Sequence, residues 1–283
     1  MVDYEPAEHY DRVTRAWALL MGDDLHYGVF DAPSDPLAEA SDRLTSLMIE
    51  VGGLTEAGPE GTDGAPLRVL DVGCGTGGPA SRLVRDHGVD LLGITPSAVG
   101  IEAATARFAA AGLPGSFEQR DGTDNGLPDA SFDRVWVLEA SHLMPDREAL
   151  ISEASRVLRP GGRLVLCDII RRREIGFREL RERREEFAVL RAGFGAARMD
   201  PLDLYAAHAE KHGLKVLTQR DISEETRPTF AAWRANAEQH RDAVLELIGP
   251  DELDVFVRSL EILERLWDDR TLGYGIFAAE KVG

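Results

Sequence analysis

Residues 67–78, LRVLDVGCGTGG, join a short apolar segment to a glycine-rich turn. Val69, Leu70 and Val72 are apolar and partly β-branched, which is typical of a buried parallel strand. Glycines let the backbone turn sharply and let a ligand approach main-chain atoms that a Cβ would shield. The following residues, Pro79–Asp86, are predicted to form a helix whose N–H groups point back at the turn. An α/β sheet binds ligands outside the carboxyl end of its first strand, so we expect a ligand site here.

Strands and helices alternate after this turn. The later strands are predicted at Val89–Ile94, Ser116–Arg120, Phe132–Leu138, Arg163–Ile170, Leu214–Ile222 and Thr271–Lys281. The helices between them are of the length that indicates a mostly parallel sheet with helices on both faces. The predicted fold class is therefore α/β, a doubly wound sheet of seven strands with a helical cap.

Helical patterns also precede the first strand and interrupt the last ones. They are predicted at Tyr10–Leu20, Asp35–Val51, Arg171–Ala192, Pro201–His212, Thr229–Ile248 and Asp251–Trp267. Gly52–Pro66 has the composition of a polar linker. Seven arginines lie between positions 171 and 184, interleaved with glutamates, which predicts a solvated helix. The alternative is that Arg171–Arg173 bind an anionic acceptor.

Composition restricts the classes of partner. The chain has 283 residues and a net charge of −18, which argues against nucleic acid because phosphates require a basic surface. No apolar run approaches the ~18 residues of a membrane span, and the polar start MVDYEPAEHYDR indicates no signal peptide. The two cysteines form neither a disulfide framework nor a metal site. We expect a cytoplasmic protein with a small-molecule substrate, no membrane or nucleic-acid partner and no metal; the sequence does not predict the oligomeric state.

The glycine turn also has an acid at a particular place. Asp71 lies two residues before Gly73, and the spacing is Gly-x-Gly-x-Gly-Gly. This arrangement resembles motif I of the class I S-adenosyl-L-methionine-dependent methyltransferases. The resemblance implies that Asp71, Gly73, Gly75 and Gly77 hold the methionine end of the cofactor.

The resemblance covers Leu67–Ile170 and the last strands, and it also implies a domain organisation. Residues 1–283 would be a single methyltransferase domain whose seventh strand is inserted antiparallel. Residues 1–66 would form a helical cap and linker, residues 67–170 the core that binds the cofactor, residues 171–270 the cap helices around strand six, and residues 271–283 the closing strand.

The predicted second strand is followed directly by Thr95 of GITPS, at the place where many nucleotide-binding folds have an acid that binds the ribose. In this it resembles the cyclopropane-synthase and small-molecule methyltransferase type, with Gly-[LIV]-Thr-x-Ser. The resemblance implies that Thr95 and Ser97 lie at the cofactor. Asp121 and Gly122, after the third strand, would contact the adenine.

Two further cofactor contacts are implied. Leu138, at the end of the fourth strand, would border the sulfonium end. His26 lies in LHYGVFD, residues 25–31, and this stretch is similar to a segment that folds over the cofactor in related enzymes.

The stretch EASHLMPD, residues 139–146, follows the fourth strand. Methyltransferases of antibiotic sugars and polyketides have a similar stretch with a histidine at this place, and an aspartate at the end of strand five. The resemblance implies that His142 is the general base and that Asp168 orients it. An imidazole suits this role because its ordinary pKa is near ~6.5. We also expect Glu139 in the catalytic site.

The predicted activity is methylation of a hydroxyl group in natural-product, antibiotic-type biosynthesis. One alternative is C- or N-methylation of a quinone, sterol, isoprenoid or amine, with Glu139 or Tyr27 in place of His142. Another is a non-catalytic subunit that binds S-adenosyl-L-methionine. An NAD oxidoreductase is disfavoured by Asp71 and Thr95.

Overall fold

The structure, a computed structural model, describes residues 15–55 and 64–283. The chain forms seven strands joined in one sheet of order β3-β2-β1-β4-β5-β7-β6. They are β1 (Arg68–Val72), β2 (Asp90–Thr95), β3 (Ser116–Gln119), β4 (Phe132–Leu138), β5 (Leu158–Arg171), β6 (Leu214–Asp221) and β7 (Leu272–Lys281). The pairs β1–β2, β1–β4, β2–β3 and β4–β5 are parallel, and β6–β7 is antiparallel. The predicted α/β class with a seven-stranded, mostly parallel sheet is confirmed.

Helices connect these strands. They are α1 (residues 15–21), α2 (Leu37–Val51), α3 (Gly78–His87), α4 (Ala98–Ala111), α5 (Arg147–Val157), α6 (Phe177–Glu182), α7 (Arg184–Phe194), α8 (Leu202–Lys211), α9 (Ser223–Thr226), α10 (Thr229–Gln239) and α11 (Arg241–Asp268). The linker predicted at Gly52–Pro66 and the helix predicted at Tyr10–Leu20 lie partly outside the described residues.

The strand β1 lies in the middle of the parallel strands, paired with β2 on one side and β4 on the other. Its side chains from Val69 to Val72 are buried, as are those of β4 from Phe132 to Val137. Strands buried on both faces are expected to be continuously apolar, and Asp71 is the exception in β1. Because parallel strands end at the same edge, the loops after β1, β2 and β4 lie together there.

The helix predicted at Arg171–Ala192 is wrong in its first part. The strand β5 continues to Arg171, and two helices follow, α6 and α7, separated at Arg183. Gly176 is extended before α6, with φ −66° and ψ 153°, so the helix begins only after it. The helix predicted at Thr229–Ile248 is likewise divided, at His240.

The described residues group into two compact units. The helical unit comprises residues 15–44, 169–201 and 222–274, and the sheet unit comprises residues 45–55, 64–168, 202–221 and 275–283. The predicted single domain, with its cap and core segments, stays a prediction.

The core of the helical unit is a cluster of aromatic rings around Tyr27. The Tyr27 ring is stacked on Trp267 with centroids 5.7 Å apart, and it meets Phe230 and Trp233 edge-on. Tyr274 completes the cluster at 5.0 Å. Such offset and edge contacts stabilise more than their buried area alone.

Two structural features are absent from residues 15–55 and 64–283. No helix there has a long enough apolar run to cross a bilayer. No group of three or more histidine, cysteine, aspartate or glutamate side chains there could hold a metal ion.

Candidate active site

The glycine turn after β1 adopts backbone angles that favour glycine. Gly73, Gly75 and Gly77 have φ of 81°, 51° and 77°. A Cβ on Gly73 would lie 2.2 Å from the Cβ of Ala140, and one on Gly77 would lie 3.1 Å from that of Ala104. A Cβ on Gly75 would meet nothing within 4 Å. The turn is therefore closely packed at both ends and open at its middle, where a ligand can reach the main chain.

The turn is also fixed to the neighbouring strand. The backbone N–H groups of Gly73 and Cys74 both donate to the carbonyl of Ile94, at 2.8 and 3.2 Å. Burial and the charge of Asp71 raise the pKa of the Cys74 thiol, so the thiol stays protonated. We therefore assign Cys74 a packing role.

Asp71 is a buried carboxyl group at the end of β1, 4% exposed. Within residues 15–55 and 64–283 its carboxylate forms no hydrogen bond or ion pair. Burial raises its pKa to about 7. A buried acid without a partner favours a cationic ligand, because an opposite charge would stabilise its ionised form. The α-amino group of a bound amino acid fits this requirement.

The hydroxyl groups at the end of β2 have structural partners. The backbone N–H of Ser97 donates to Thr95 Oγ1 at 3.3 Å. Ser97 Oγ accepts the backbone N–H of Gly100 at 2.9 Å and so caps α4. Serine is among the residues preferred at a helix N-cap, so this hydrogen bond gives Ser97 a structural role. The predicted cofactor contacts of Thr95 and Ser97 stay predictions.

The adenine contacts predicted after β3 lie in a turn. The Asp121 carboxylate accepts the backbone N–H and the hydroxyl of Thr123, at 2.8 and 2.7 Å. A Cβ on Gly122 would lie 2.5 Å from Val72 Cγ1, which brings this turn against the end of β1. The turn after β3 therefore lies next to the start of the glycine-rich turn after β1. The roles of Asp121 and Gly122 at the adenine stay predictions.

Glu139 follows Leu138, the last residue of β4, in a left-handed conformation with φ 48°. Its backbone N–H donates to the carbonyl of Cys167 on β5 at 2.9 Å. A non-glycine residue in this region costs about 1–3 kcal/mol, and such residues cluster at active sites. The strain therefore lies at the point where the chain leaves β4 for the predicted catalytic stretch.

His142 and Asp168 are in contact, as the sequence predicts. His142 Nδ1 lies 2.7 Å from Asp168 Oδ1, and the backbone N–H of His142 donates to Asp168 Oδ2 at 3.0 Å. The carboxylate can only accept, so Nδ1 carries the proton and Nε2 has the free lone pair. Within the described residues Nε2 has no hydrogen-bond partner. The imidazole can therefore take a proton at Nε2.

Burial and charge act in opposite directions on this pair. Burial would lower the pKa of His142, but the charge and hydrogen bond of Asp168, with the charge of Glu139, raise it above 6.5. Burial would raise the pKa of Asp168, but His142 and its hydrogen-bond donors lower it below 3.8. The carboxylate is thus ionised and strengthens the imidazole as a base.

Two residues of the site were not predicted from the sequence. Ser141 Oγ donates to Asp168 Oδ2 at 2.5 Å and lies 2.8 Å from the hydroxyl of Tyr205. All three side chains are almost fully buried. Ser141 adjoins His142 in sequence, but a serine there carries no signal by itself. Tyr205 lies on α8, and the packing of α8 against α5 and β6 brings it to the site.

His26 is described within the helical unit. It is 2% exposed, and its Nδ1 lies 2.6 Å from the carbonyl of Tyr27. Burial lowers its pKa. Its contact with the cofactor stays a prediction.

Comparison with known proteins identifies relatives along most of the chain. Residues 70–166 match the family described as Methyltransferase domain. The chain is 37% identical to Methyltransferase GfsG of Streptomyces halstedii, over 81% of this chain and 79% of that protein. It is 35% identical to 27-O-demethylrifamycin SV methyltransferase of Amycolatopsis mediterranei, over 98% and 97%.

A solved structure resembles the chain over nearly its whole length. The crystal structure of the [4+2]-cyclase SpnF has a TM-score of 0.80 and 27% identity, and it covers 98% of this chain and 96% of its own. The sheet and its helices are therefore shared with an enzyme that is named for a cyclisation.

Proposed function

Since the chain belongs to the methyltransferase family, we propose that it methylates a hydroxyl group of a small molecule in secondary metabolism. The methyl donor is S-adenosyl-L-methionine, which supplies an electrophilic methyl group when it is bound. The observation that carries the hydroxyl assignment is the buried pair of His142 and Asp168, with Nδ1 and Oδ1 2.7 Å apart.

An alcohol acceptor requires a base because it keeps its proton at neutral pH. His142 Nε2 takes this proton, while Asp168 holds the tautomer that leaves Nε2 unprotonated. A positioned base contributes about 10²–10⁴-fold to the rate. Holding the reacting groups in line contributes up to about 7–11 kcal/mol of the barrier.

The proposed cofactor-binding residues lie mainly at the carboxyl ends of β1, β2 and β3 and in the loops that follow them. The charge of Asp71 suits the α-amino group of the methionine part, and the main chain at Gly75, four residues later, is open to a ligand. Further proposed contacts are Gly73, Gly77, Thr95, Ser97, Asp121, Gly122, Leu138 and His26.

A polyketide alcohol is the proposed class of acceptor. The relative that aligns over 98% of this chain is named for 27-O-demethylrifamycin SV. C- or N-methylation remains the alternative within the family, and it would rely on Glu139 rather than His142.

A second candidate activity is favoured by the likeness to the [4+2]-cyclase, which covers 98% of this chain. A cyclisation would need the fold to orient a polyene but would need no base at Nε2. The two activities differ in their products, because only methyl transfer yields S-adenosylhomocysteine.

The test is incubation of the purified protein with S-adenosyl-L-methionine and 27-O-demethylrifamycin SV, or other polyketide alcohols. Mass spectrometry would detect S-adenosylhomocysteine and the methyl ether. We expect His142→Gln to lose about 10²–10⁴-fold in kcat. Ser155→Ala is the control, because its hydroxyl donates to the His212 carbonyl, at 2.7 Å, and belongs to no part of the proposed site. Full turnover in His142→Gln would remove the base role.

A further inference from the structure

A chain of hydrogen bonds joins His142 to one carboxylate and two hydroxyl groups, those of Asp168, Ser141 and Tyr205. Asp168 Oδ2 accepts from Ser141 Oγ at 2.5 Å, and Ser141 Oγ lies 2.8 Å from the Tyr205 hydroxyl. Asp168 and Ser141 are fully buried. Each of these polar groups would be costly to bury alone, so their mutual bonding is what makes the arrangement stable.

The direction of each hydrogen bond follows from the number of protons. A serine hydroxyl has one proton, and Ser141 donates it to the ionised Asp168, which can only accept. The Tyr205 hydroxyl must therefore be the donor to Ser141 Oγ. Burial and the charge of Asp168 raise the pKa of Tyr205 to about 12, so the phenol has this proton at neutral pH.

We propose that Ser141 and Tyr205 are positioning residues that act on His142 through Asp168. Donation from Ser141 to Oδ2 withdraws charge from the carboxylate, and donation from Tyr205 polarises the serine in the same direction. Asp168 then still holds the proton of His142 at Nδ1. The reduced charge of Asp168 keeps the pKa of His142 low enough for Nε2 to be unprotonated and available as a base. This inference rests on the proposed role of His142 as the base.

Two other charged groups also shift the pKa of His142, and neither is substituted in the variants described below. Glu139, after β4, raises the pKa of His142, and Arg147, on α5, lowers it. Arg147 also acts on Tyr205. Ser141→Ala leaves both of these charged groups and their contacts in place, whereas Tyr205→Phe also removes the side-chain hydrogen bond between Tyr205 and Arg147, so Ser141→Ala is the primary test.

The variants Ser141→Ala and Tyr205→Phe each remove one hydroxyl and keep the rest of the side chain. Loss of the serine donor leaves more charge on Asp168, so we expect the pKa of His142 to rise by about 0.5 to 1. Tyr205→Phe should raise it by less. In the Ser141→Ala background, Tyr205→Phe should add almost nothing, because its effect passes through the serine.

The readout is an NMR titration of the imidazole resonances in the full chain, without ligand. The chain has seven histidines, and His142→Gln identifies the signal that belongs to position 142. Ser155→Ala is the matched control, a buried serine hydroxyl outside this group of residues. Circular dichroism would establish that each variant is folded.

An unchanged or lowered pKa of His142 in folded Ser141→Ala overturns the inference, as does a full additional effect of Tyr205→Phe in that background. With an acceptor in hand, the acid limb of the kcat profile should move to higher pH while the KM for S-adenosyl-L-methionine stays the same. The titration requires no turnover. If His142→Gln keeps its activity, the proposed function fails while the titration still decides the inference.

Discussion

Gly73 and Ala140 approach each other so closely that a Cβ on Gly73 would lie 2.2 Å from the Cβ of Ala140. Gly73 begins the turn after β1, and Ala140 follows the strained Glu139 after β4. The contact joins the turn proposed to bind the methionine part to the stretch that carries His142. Small residues on both sides are therefore needed to bring the two loops together.

Gly73→Ala should destabilise the fold and weaken binding of S-adenosyl-L-methionine. The variant combines left-handed strain, about 1–2 kcal/mol, with overpacking against Ala140, about 1–3 kcal/mol. Thermal unfolding would measure the loss of stability. Calorimetric titration with S-adenosylhomocysteine would measure the loss of binding affinity. Gly161→Ala is the control, since Gly161 has φ 76° but a Cβ there would meet nothing within 4 Å. Equal losses in both variants would show that the contact with Ala140 is unimportant.

Activity should fall on the acid side through the pKa of His142, which lies above 6.5. Only the neutral imidazole can accept a proton, so turnover is lost as the pH drops below that value. Asp168→Asn removes the negative charge that raises the pKa of His142 against the effect of burial. The acid limb should then move to lower pH, and the maximal rate should drop. A kcat/KM profile would measure both changes. An acid limb that stays in place in Asp168→Asn would contradict the electrostatic role of Asp168.

The sequence predicted the sheet because short segments with buried apolar residues, β1 and β4 among them, alternate with helices along the chain. The pairing of His142 with Asp168 was predicted from the resemblance to methyltransferases, and in the structure Asp168 lies within β5, in contact with His142 after β4. The sequence did not predict the division between α6 and α7, where charged residues at helical spacing continue across Arg183. Tyr205 was missed because its position depends on long-range packing, for which one sequence gives no local pattern.

Ser97→Ala should lower the stability of the sheet unit by about 1 kcal/mol, because α4 loses its N-cap. Chemical denaturation would measure the change. Ser81→Ala is the control: its hydroxyl donates to the carbonyl of Gly78 within α3, at 2.7 Å, and caps no free N–H. If the two variants lose the same stability, the cap contributes nothing of its own.

Asp71→Asn should stabilise the ligand-free protein at pH 8. The pKa of Asp71 is raised from 3.8 to about 7, so its contribution to stability is full below pH 3.8 and is lost as the pH rises through about 7. Above that pH the buried charge costs on the order of 4 kcal/mol, which the amide avoids. Thermal midpoints of wild type and variant should therefore diverge between pH 5 and pH 8, by roughly 5 °C or more. Parallel curves would contradict the raised pKa.

The same carboxyl group should release a proton when S-adenosyl-L-methionine binds. At pH 6 the free protein holds Asp71 mostly protonated, because its pKa is about 7. A cationic α-amino group beside it would favour the carboxylate, so binding should expel close to one proton at pH 6. Calorimetric titration in buffers of different ionisation enthalpy counts that proton.

Asp71→Asn should abolish the release and weaken binding about tenfold or more, since a buried charge pair is lost. Asp90→Asn, an exposed carboxylate at the start of β2, should change neither. Equal proton release from wild type and Asp71→Asn would place the α-amino group elsewhere. Because the count reports on Asp71 whichever acceptor is methylated, it tests the cofactor end of the site independently of His142.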